Sequence, residues 1–328
     1  MTTASDQGCR IVVTRTLPGA LMDLIRSSHR CWINPEERTL TAAEVAHHAS
    51  ALGAEALIVM AMDRIDAQLI QTLPDCVRVI ATYSVGHDHI DLEAARARGI
   101  AVLSTPDVLS DAVADLGMLL LLGAARRAYE AMQLLYGGKW QGWSPTQVIG
   151  RDLTRARLGI LGMGRIGRAV AARARHGFRM EVHYHNRSRL GDGLEDGAIF
   201  HDRLPDLLAV SDFLMLAAPS SPATRGILGA EAIAQLPHGA VVANVSRGDL
   251  VDDEALIGAL RSGRLMAAGL DVFNGEPSIH PGYLQLPNVF LQPHQGSSTI
   301  ETRIKMGTLL LDSIERLRAG RPVSNRLV

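Results

Sequence analysis

Short apolar runs alternate with amphipathic helical stretches along the first hundred residues. The apolar runs predict strands at Arg10–Thr14, Ala56–Met60, Val77–Ala81 and Ile100–Leu103. Between them, Leu17–Ser27 and Asp91–Arg98 are predicted to be helical. Strands that are covered by helices on both faces are apolar throughout, as these runs are. The pattern therefore predicts a parallel sheet with flanking helices.

The same alternation restarts after Gly150. It predicts strands at 158–161, 181–185, Phe213–Ala217, Ala240–Asn244, Met266–Asp271 and Asn288–Leu291. It predicts helices at 165–176, Leu204–Ala209, Ala230–Gln235 and Asp253–Ser262. Before this unit, Asp107–Arg127 is predicted to form a long helical region that Ser110 caps. The second pattern indicates another doubly wound α/β unit.

The length of 328 residues is sufficient for about two domains, each with its own core. The last predicted helix, Ser298–Arg318, does not complete the alternation of the second unit. We therefore expect it to pack on the first domain, which makes that domain discontinuous. The prediction is two doubly wound, Rossmann-like α/β domains with a cleft between them, one of residues 1–104 plus 292–328 and one of residues 105–291.

Composition and charge narrow the range of functions. The chain is 47% hydrophobic and its net charge is −1, so it has no overall attraction to nucleic acid or to a membrane surface. Leu116–Ala125 is apolar but too short to span a bilayer, and the polar stretch Met1–Gly8 lacks the pattern of a secretion signal. Three scattered cysteines favour neither disulfides nor a metal site. We expect a cytoplasmic protein without nucleic-acid or membrane partners.

A glycine motif gives the strongest indication of function. Gly162, Gly164 and Gly167 form G-x-G-x-x-G between the predicted strand 158–161 and a helical stretch. Chance matches occur in a chain with 31 glycines, but this position between strand and helix is what dinucleotide binding requires. The pyrophosphate would lie on the helix N-terminus, beside Arg165 and Ile166. Residues 105–291 are therefore predicted to be the dinucleotide-binding domain.

The end of the second strand of this unit bears on which cofactor is bound. NAD-binding units carry an acidic residue there for the ribose 2′-hydroxyl. Here Asn186, Arg187 and Ser188 follow the strand and no carboxylate is present. A guanidinium suits phosphate oxygens, so we expect NADP(H) to be preferred, with NAD(H) possible. The alternative is a solvated basic loop.

Three polar residues follow later strands of the same unit: Arg247, Glu276 and His294. The reduction of a carbonyl group needs a proton donor, for which histidine is suited. A neighbouring carboxylate favours its charged form, and an arginine can bind a substrate carboxylate. Taken singly, Glu276 could be a turn residue, Arg247 a cap partner of Asp249, and His294 one of 12 histidines.

Four segments carry a resemblance to a known family: ILGMGRIGRAVA, NVSRGDLVDDEALIGAL, AAGLDVFNGEP and PHQGSSTIETR. They resemble the D-2-hydroxyacid dehydrogenases, and most of all the glyoxylate/hydroxypyruvate reductases, over almost the entire chain. The resemblance implies NADPH-dependent reduction of small 2-oxo acids to D-2-hydroxy acids. It implies that His294 protonates the ketone oxygen, that Glu276 pairs with His294 and that Arg247 holds the substrate.

The resemblance also assigns further site residues. It implies cofactor contacts for Asp271, which would meet the nicotinamide carboxamide, and for Pro219, Thr224 and Val245. It implies substrate contacts for Val85, Gly86 and Ser297 in the substrate-binding domain and its border. The alternative for the turn at Val85 and Gly86 is an ordinary helix N-terminus capped by Asp88 or Asp91.

A tryptophan segment that contains Trp143 resembles a loop that reaches the active site of a neighbouring subunit. The resemblance therefore implies a homodimer, with Trp143 either touching substrate or buried in the dimer interface.

Some features depart from the family pattern. Gln295 stands where the family usually has an apolar residue, and Val85 where phosphite-oxidising relatives have lysine. Two alternatives stay open: another substrate of the same family, and a nucleotide-sensing interaction protein on the same scaffold. The intact set of Arg247, Glu276 and His294 favours the enzyme.

Overall fold

The structure is a computed structural model that describes residues 8–328. The prediction made for Met1–Gly8 therefore lies outside the described residues, apart from Gly8. The chain divides into two compact units. Unit 1 holds the described residues up to Leu109 together with Ser298–Val328, and unit 2 is Ser110–Ser297.

These bounds differ from the predicted ones by a few residues, since 105–109 belong to unit 1 and 292–297 belong to unit 2. The amides of Gln295 and Gly296 donate to the two carboxylate oxygens of Asp271, and these hydrogen bonds hold that segment on unit 2.

Unit 1 is a five-stranded parallel sheet with flanking helices. Its strands are β1 (Arg10–Val13), β2 (Arg30–Ile33), β3 (Ala56–Val59), β4 (Val79–Thr82) and β5 (Ala101–Leu103), in the order β2-β1-β3-β4-β5. Its helices are α1 (Gly19–Ser28), α2 (Ala42–Leu52), α3 (Ala67–Thr72), α4 (Leu92–Ala97) and the C-terminal helix Ile300–Arg318. On the C-terminal helix, Gly307 packs so closely on Leu21 of α1 that a Cβ would lie 2.0 Å from the leucine side chain.

Unit 2 begins with α5 (Ser110–Ala125) and α6 (Ala128–Tyr136). Its strands are β6 (Arg157–Leu161), β7 (Glu181–His185), β8 (Ile199–Phe200), β9 (Phe213–Leu216), β10 (Ala240–Asn244), β11 (Leu265–Leu270) and β12 (Val289–Leu291). All pair in parallel, in the order β12-β11-β10-β9-β6-β7-β8. The helices between them are α7 (Arg165–Ala172), α8 (Leu204–Val210), α9 (Ala230–Gln235), α10 (Asp253–Arg261) and α11 (Pro281–Leu284).

The predicted fold class is confirmed, and ten of the twelve strands in the described part of the chain fall where the apolar runs predicted them. The two that were missed, β2 and β8, are short edge strands with exposed positions. The helix predicted over 107–127 begins at Ser110, so Ser110 is its first residue rather than its cap. The helix predicted over 165–176 ends at Ala172 and continues as a π-helical turn, Arg173–Gly177.

Each sheet is buried beneath its helices. Strands β3 and β4 in unit 1, and β9 and β10 in unit 2, are buried at every position. The loops that follow these strands lie at the carboxyl edge of each sheet, where ligands bind in open α/β folds. Within residues 8–328, no helix combines the length and apolar character that crossing a membrane requires.

Candidate active site

Arg247, Glu276 and His294 lie in the loops that follow three adjacent strands, β10, β11 and β12. Because the strands are parallel, all three loops leave the sheet at the same edge. At Gly248 a Cβ would lie 1.9 Å from the Phe273 carbonyl carbon, so the turn after Arg247 rests directly on the loop that carries Glu276. The structure therefore brings the three predicted residues together within unit 2.

His294 and Glu276 form a close pair. The ring Nδ1 of His294 is 2.7 Å from Oε2 of Glu276, and Oε1 of the same carboxylate accepts the Phe273 amide at 2.8 Å. Both carboxylate oxygens are thus used, and Nδ1 is the ring atom that Glu276 holds. The imidazole is 40% exposed, whereas Glu276 is 18% exposed. The other ring nitrogen, Nε2, remains to exchange a proton with a ligand.

The charge of Glu276 is set by its neighbours. Burial raises the pKa of Glu276, but the hydrogen bond and charge of His294, the Phe273 amide and the charge of Arg247 lower it. The lowering contributions dominate, and the pKa of Glu276 lies below its usual value. Glu276 is therefore ionised at neutral pH, and its negative charge stabilises a positive charge on the imidazole.

The turn that carries Arg247 is organised by Asn244, a residue for which no role was predicted. The Asn244 side chain donates to the Arg247 carbonyl oxygen at 2.8 Å and accepts the Ser246 amide at 3.0 Å. Asn244 is fully buried at the end of β10. The sequence could have indicated this role, because an asparagine at the end of a strand readily forms side-chain hydrogen bonds to the backbone of the following turn.

The backbone at His294 is unusual and is held in place by Asp271. His294 has a φ of 53°, which is uncommon for a residue other than glycine. Its amide donates to the Asp271 carbonyl oxygen at 2.8 Å. The Asp271 carboxylate accepts the next two amides, of Gln295 at 2.7 Å and Gly296 at 2.9 Å. Burial, opposed by these two amides and by His294, raises the pKa of Asp271 to about 6.

The glycine turn of unit 2 has the shape of a pyrophosphate cradle. Gly162 has a φ of 98°, and a Cβ there would lie 2.4 Å from the Ala218 nitrogen. A Cβ on Gly167 would lie 2.1 Å from the Gly162 carbonyl oxygen. In contrast, nothing lies within 4 Å of a Cβ on Gly164, which caps the N-terminus of α7. At Gly164 there is thus open space next to the free amides at the N-terminus of α7. These residues fit the pyrophosphate of a dinucleotide.

The residues predicted to contact the 2′-position lie directly after β7. The Asn186 side-chain oxygen accepts the Met163 amide at 2.7 Å, which joins this segment to the glycine turn. Arg187 and Ser188 are exposed beyond it. A second arginine, Arg189, is bound by the carboxylate of Glu195. This pairing was not predicted from the sequence.

The remaining predicted cofactor residues lie around the same edge. Arg165 is exposed and Ile166 half-buried at the start of α7. The Thr224 hydroxyl donates to the Pro219 carbonyl oxygen at 2.7 Å, so these two residues belong to one loop after β9. Val245 is buried, and its amide donates to Leu216 at 3.2 Å.

In unit 1, Val85 and Gly86 lie in the loop after β4. Neither amide donates a hydrogen bond within residues 8–328, whereas the Ser84 hydroxyl donates to the Gly86 carbonyl oxygen at 2.6 Å. Asp91 caps α4 by accepting the Ala94 amide at 2.9 Å, as the alternative interpretation of this turn predicted. The cap and an anion-binding turn are compatible, because they use different amides.

Two other predicted substrate contacts belong to unit 2. Trp143 is 84% exposed, so within this chain it is not a buried aromatic residue. Ser297, the last residue of unit 2, is half-buried.

A doubly wound unit with a dinucleotide cradle and an Arg, Glu, His set at one edge defines a nicotinamide-dependent dehydrogenase. The family model described as D-isomer specific 2-hydroxyacid dehydrogenase, NAD binding domain, matches residues 118–296. The chain belongs to this D-isomer specific 2-hydroxyacid dehydrogenase family. It is therefore an oxidoreductase of the 2-hydroxyacid dehydrogenase class with an NAD-binding domain.

Individual relatives agree with this assignment. A glycerate dehydrogenase from Hyphomicrobium methylovorum is 41% identical over 320 residues, which cover 97% of this chain and 98% of that protein. A glyoxylate reductase from Thermococcus gammatolerans is 36% identical over 315 residues, which cover 95% of this chain and 93% of that protein. The solved structure of an NADPH-dependent glyoxylate/hydroxypyruvate reductase from Sinorhizobium meliloti, in complex with NADP and malonate, has a TM-score of 0.85 at 31% identity and covers 98% of this chain and 97% of that one.

Proposed function

We propose that this protein reduces glyoxylate and hydroxypyruvate to glycolate and D-glycerate, with NADPH preferred over NADH. The observation that carries the proposal is the pair of His294 and Glu276, 2.7 Å apart beside Arg247 at the carboxyl edge of the sheet. Relatives named glycerate dehydrogenase and glyoxylate reductase support the choice of these short substrates.

Each residue of the set has a separate role in the proposed reaction. A bound reduced nicotinamide supplies the hydride. His294 gives a proton from Nε2 to the ketone oxygen, while Glu276 stabilises the charged ring and fixes its orientation through Nδ1. Arg247 binds the carboxylate of the 2-oxo acid through charged hydrogen bonds. The unpaired amides of Val85 and Gly86, with Ser297, are proposed as further carboxylate and substrate contacts.

The proposed preference for NADPH rests on the segment after β7. Asn186, Arg187 and Ser188 present hydrogen-bond donors without a carboxylate, and a carboxylate would repel a 2′-phosphate. The related Sinorhizobium meliloti enzyme is named as NADPH-dependent. The Asn186 oxygen is occupied by Met163, so its amide nitrogen is the donor that remains.

Arg187→Ala tests this preference. We expect the KM for NADPH to rise about ten- to a hundredfold and the KM for NADH to change little. The reason is that the variant loses a charged hydrogen bond of roughly 1.5–3 kcal/mol to the 2′-phosphate, a group that NADH lacks. Arg261→Ala, at an exposed arginine in the last turn of α10, is the matched control. Equal weakening of both cofactors would contradict the assignment.

A homodimer is the proposed assembly. The large hydrophobic residues exposed by more than 45% include a group in α6 and the segment after it: Met132, Leu135, Tyr136, Trp140, Trp143 and Ile149. No residue of α6 is buried in the single chain. Large exposed hydrophobic side chains concentrated in one segment of the chain support a protein interface there, and Trp143 belongs to this segment.

A kinetic panel tests the proposed reaction. Purified protein is assayed with glyoxylate, hydroxypyruvate, pyruvate and phenylpyruvate, each with NADPH and with NADH. We expect the highest kcat/KM with glyoxylate or hydroxypyruvate and NADPH. A higher kcat/KM with pyruvate or phenylpyruvate would contradict the proposed substrates and favour another 2-oxo acid that the family reduces. Cofactor binding without turnover of any 2-oxo acid would instead favour the nucleotide-sensing alternative.

A further inference from the structure

A buried tyrosine organises the loop that follows β7. Tyr184 is fully buried in that strand. Its hydroxyl donates to Oε1 of Glu195 at 2.6 Å and accepts the Leu190 amide at 3.0 Å. Glu195 in turn binds Arg189 through two hydrogen bonds, from Nε at 2.8 Å and from a terminal nitrogen at 2.9 Å. One hydroxyl and one carboxylate thus connect three points of the loop.

The segment between β7 and this network is fixed at both ends. At its start, the Asn186 oxygen accepts the Met163 amide of the glycine turn. At its end, Arg189 and Leu190 are held by Glu195 and Tyr184. Only Arg187 and Ser188 lie between the two attachments, and both side chains are exposed. Their backbone is therefore constrained before any ligand binds.

The two arginines of this segment are not equivalent. Glu195 neutralises Arg189, whereas Arg187 forms no ion pair with any other part of the chain that the structure describes. The hydrogen bonds from Arg189 and Tyr184 lower the pKa of Glu195 to about 2, so this carboxylate is ionised at physiological pH. The uncompensated positive charge of the segment is consequently that of Arg187.

We propose that Tyr184, Glu195 and Arg189 are positioning residues that set the preference for NADPH over NADH by holding Arg187 and Ser188 ready for the 2′-phosphate. A preordered site avoids the entropic cost of ordering a loop when the ligand binds. NADH has no 2′-phosphate and gains little from this preorder. The inference rests on the proposed NADPH preference and extends it to residues that do not themselves touch the cofactor.

Two variants remove the network without changing Arg187. Tyr184→Phe removes the hydroxyl, and Glu195→Gln removes the charge that holds Arg189. For each we expect the ratio of kcat/KM with NADPH to kcat/KM with NADH to fall about three- to tenfold, the effect of one or two hydrogen bonds. The loss should lie in KM for NADPH, with kcat at saturating NADPH unchanged.

The chain offers a matched control in Tyr283. This tyrosine is also buried in unit 2, and its hydroxyl also donates to a carboxylate, Asp253, at 2.7 Å. Tyr283→Phe removes a hydrogen bond of the same kind about 100 positions along the chain from Tyr184, and we expect it to lower stability by a similar amount. The ratio between the cofactors should not change in this control.

A double-mutant cycle separates positioning from a general structural effect. If Tyr184 acts by positioning Arg187 and Ser188, then Tyr184→Phe should lower the cofactor ratio much less in a protein that already carries Arg187→Ala, because only the contribution of Ser188 remains. Fully additive effects of the two substitutions would overturn the proposal. So would an equal loss with both cofactors, or tighter NADPH binding in Glu195→Gln, which would make the released Arg189 a direct phosphate ligand.

The same experiment distinguishes this inference from the proposed function. An unchanged cofactor ratio in Arg187→Ala would refute the phosphate assignment itself. A lowered ratio in Arg187→Ala together with unchanged ratios in Tyr184→Phe and Glu195→Gln would refute only the positioning role.

Discussion

The imidazole of His294 is oriented from both its side chain and its backbone. Glu276 holds Nδ1 at 2.7 Å, and the amide of His294 donates to Asp271 and Gln292 in a left-handed backbone conformation. Sparsely populated conformations of this kind persist where the surrounding hydrogen bonds fix them, and they concentrate at functional sites. His294 thereby differs from His280, whose partner Glu254 is 79% exposed.

Glu276→Gln tests the electrostatic role of the carboxylate. Glu276 holds Nδ1 of His294 at 2.7 Å and is ionised, so its charge faces the ring that donates the proton. The neutral amide of glutamine lacks this charge, and we expect kcat at neutral pH to decrease about tenfold, the effect of roughly 1.5 kcal/mol of lost charged hydrogen bonding, with KM for NADPH unchanged. The measurement is kcat and KM at neutral pH with glyoxylate and NADPH.

The matched control is Glu254→Gln, which removes the carboxylate from the exposed pair with His280. Its kcat and KM at neutral pH should equal those of the unmodified protein. An unchanged kcat in Glu276→Gln would mean that the carboxylate does not act on His294 through its charge.

At the scale of elements, the ends of the strands could be predicted better than the contacts between loops. Strands β10 to β12 consist almost entirely of apolar residues. Arg247, Glu276 and His294 were predicted to act together because each is a polar residue in the loop after one of these strands. Helix α2 was missed, although Thr41 and Glu44 form the capping box that marks a helix start.

Other contacts could not be predicted, because they depend on how separate loops fold over one another. The Asp271 carboxylate accepts amides from residues 24 and 25 positions further along the chain. The bond from Tyr184 to Glu195 is of the same kind. No local pattern in the sequence indicates either pairing.

The contact of Asp271 with the His294 loop gives a prediction about stability. Folding raises the pKa of Asp271 from 3.8 to about 6, so between these values the folded state binds the proton more strongly. The free energy of unfolding contributed by Asp271 is therefore greatest below pH 4 and falls as the pH rises through 6. Between pH 4 and a pH well above 6, this contribution to the free energy of unfolding decreases by roughly 3 kcal/mol.

Denaturant unfolding of the unmodified protein and of Asp271→Asn at several values between pH 4 and pH 7 tests this prediction. Relative to the variant, the unmodified protein should lose stability as the pH rises. Asp192→Asn, at an exposed position, should show no such trend. If the free energies of unfolding of the unmodified protein and of Asp271→Asn differ by the same amount at every pH, then burial does not raise the pKa of Asp271.

At the scale of the whole molecule, the chain has two α/β units and an apolar surface around α6. The proposed homodimer predicts a mass in solution of twice 35.3 kDa. Leu135→Glu combined with Tyr136→Glu should give the monomer mass, because two charges enter a surface that must be desolvated. Light scattering after size-exclusion chromatography measures both.

Leu284→Glu is the control for this pair, since Leu284 is 61% exposed and Leu135 is 58% exposed. It should leave the dimer intact. A monomeric unmodified protein, or a double variant that still dimerises, would exclude α6 as the interface.

The most direct test of the proposed chemistry is a pair of measurements on His294→Asn: NADPH oxidation with glyoxylate, and NADPH binding by fluorescence. We expect kcat to fall about 10²- to 10⁴-fold, as loss of a general acid requires, while NADPH binds as before. His238→Asn, at an exposed histidine, should retain full turnover. Turnover by His294→Asn at the rate of the unmodified protein would contradict the assignment of His294 as the proton donor.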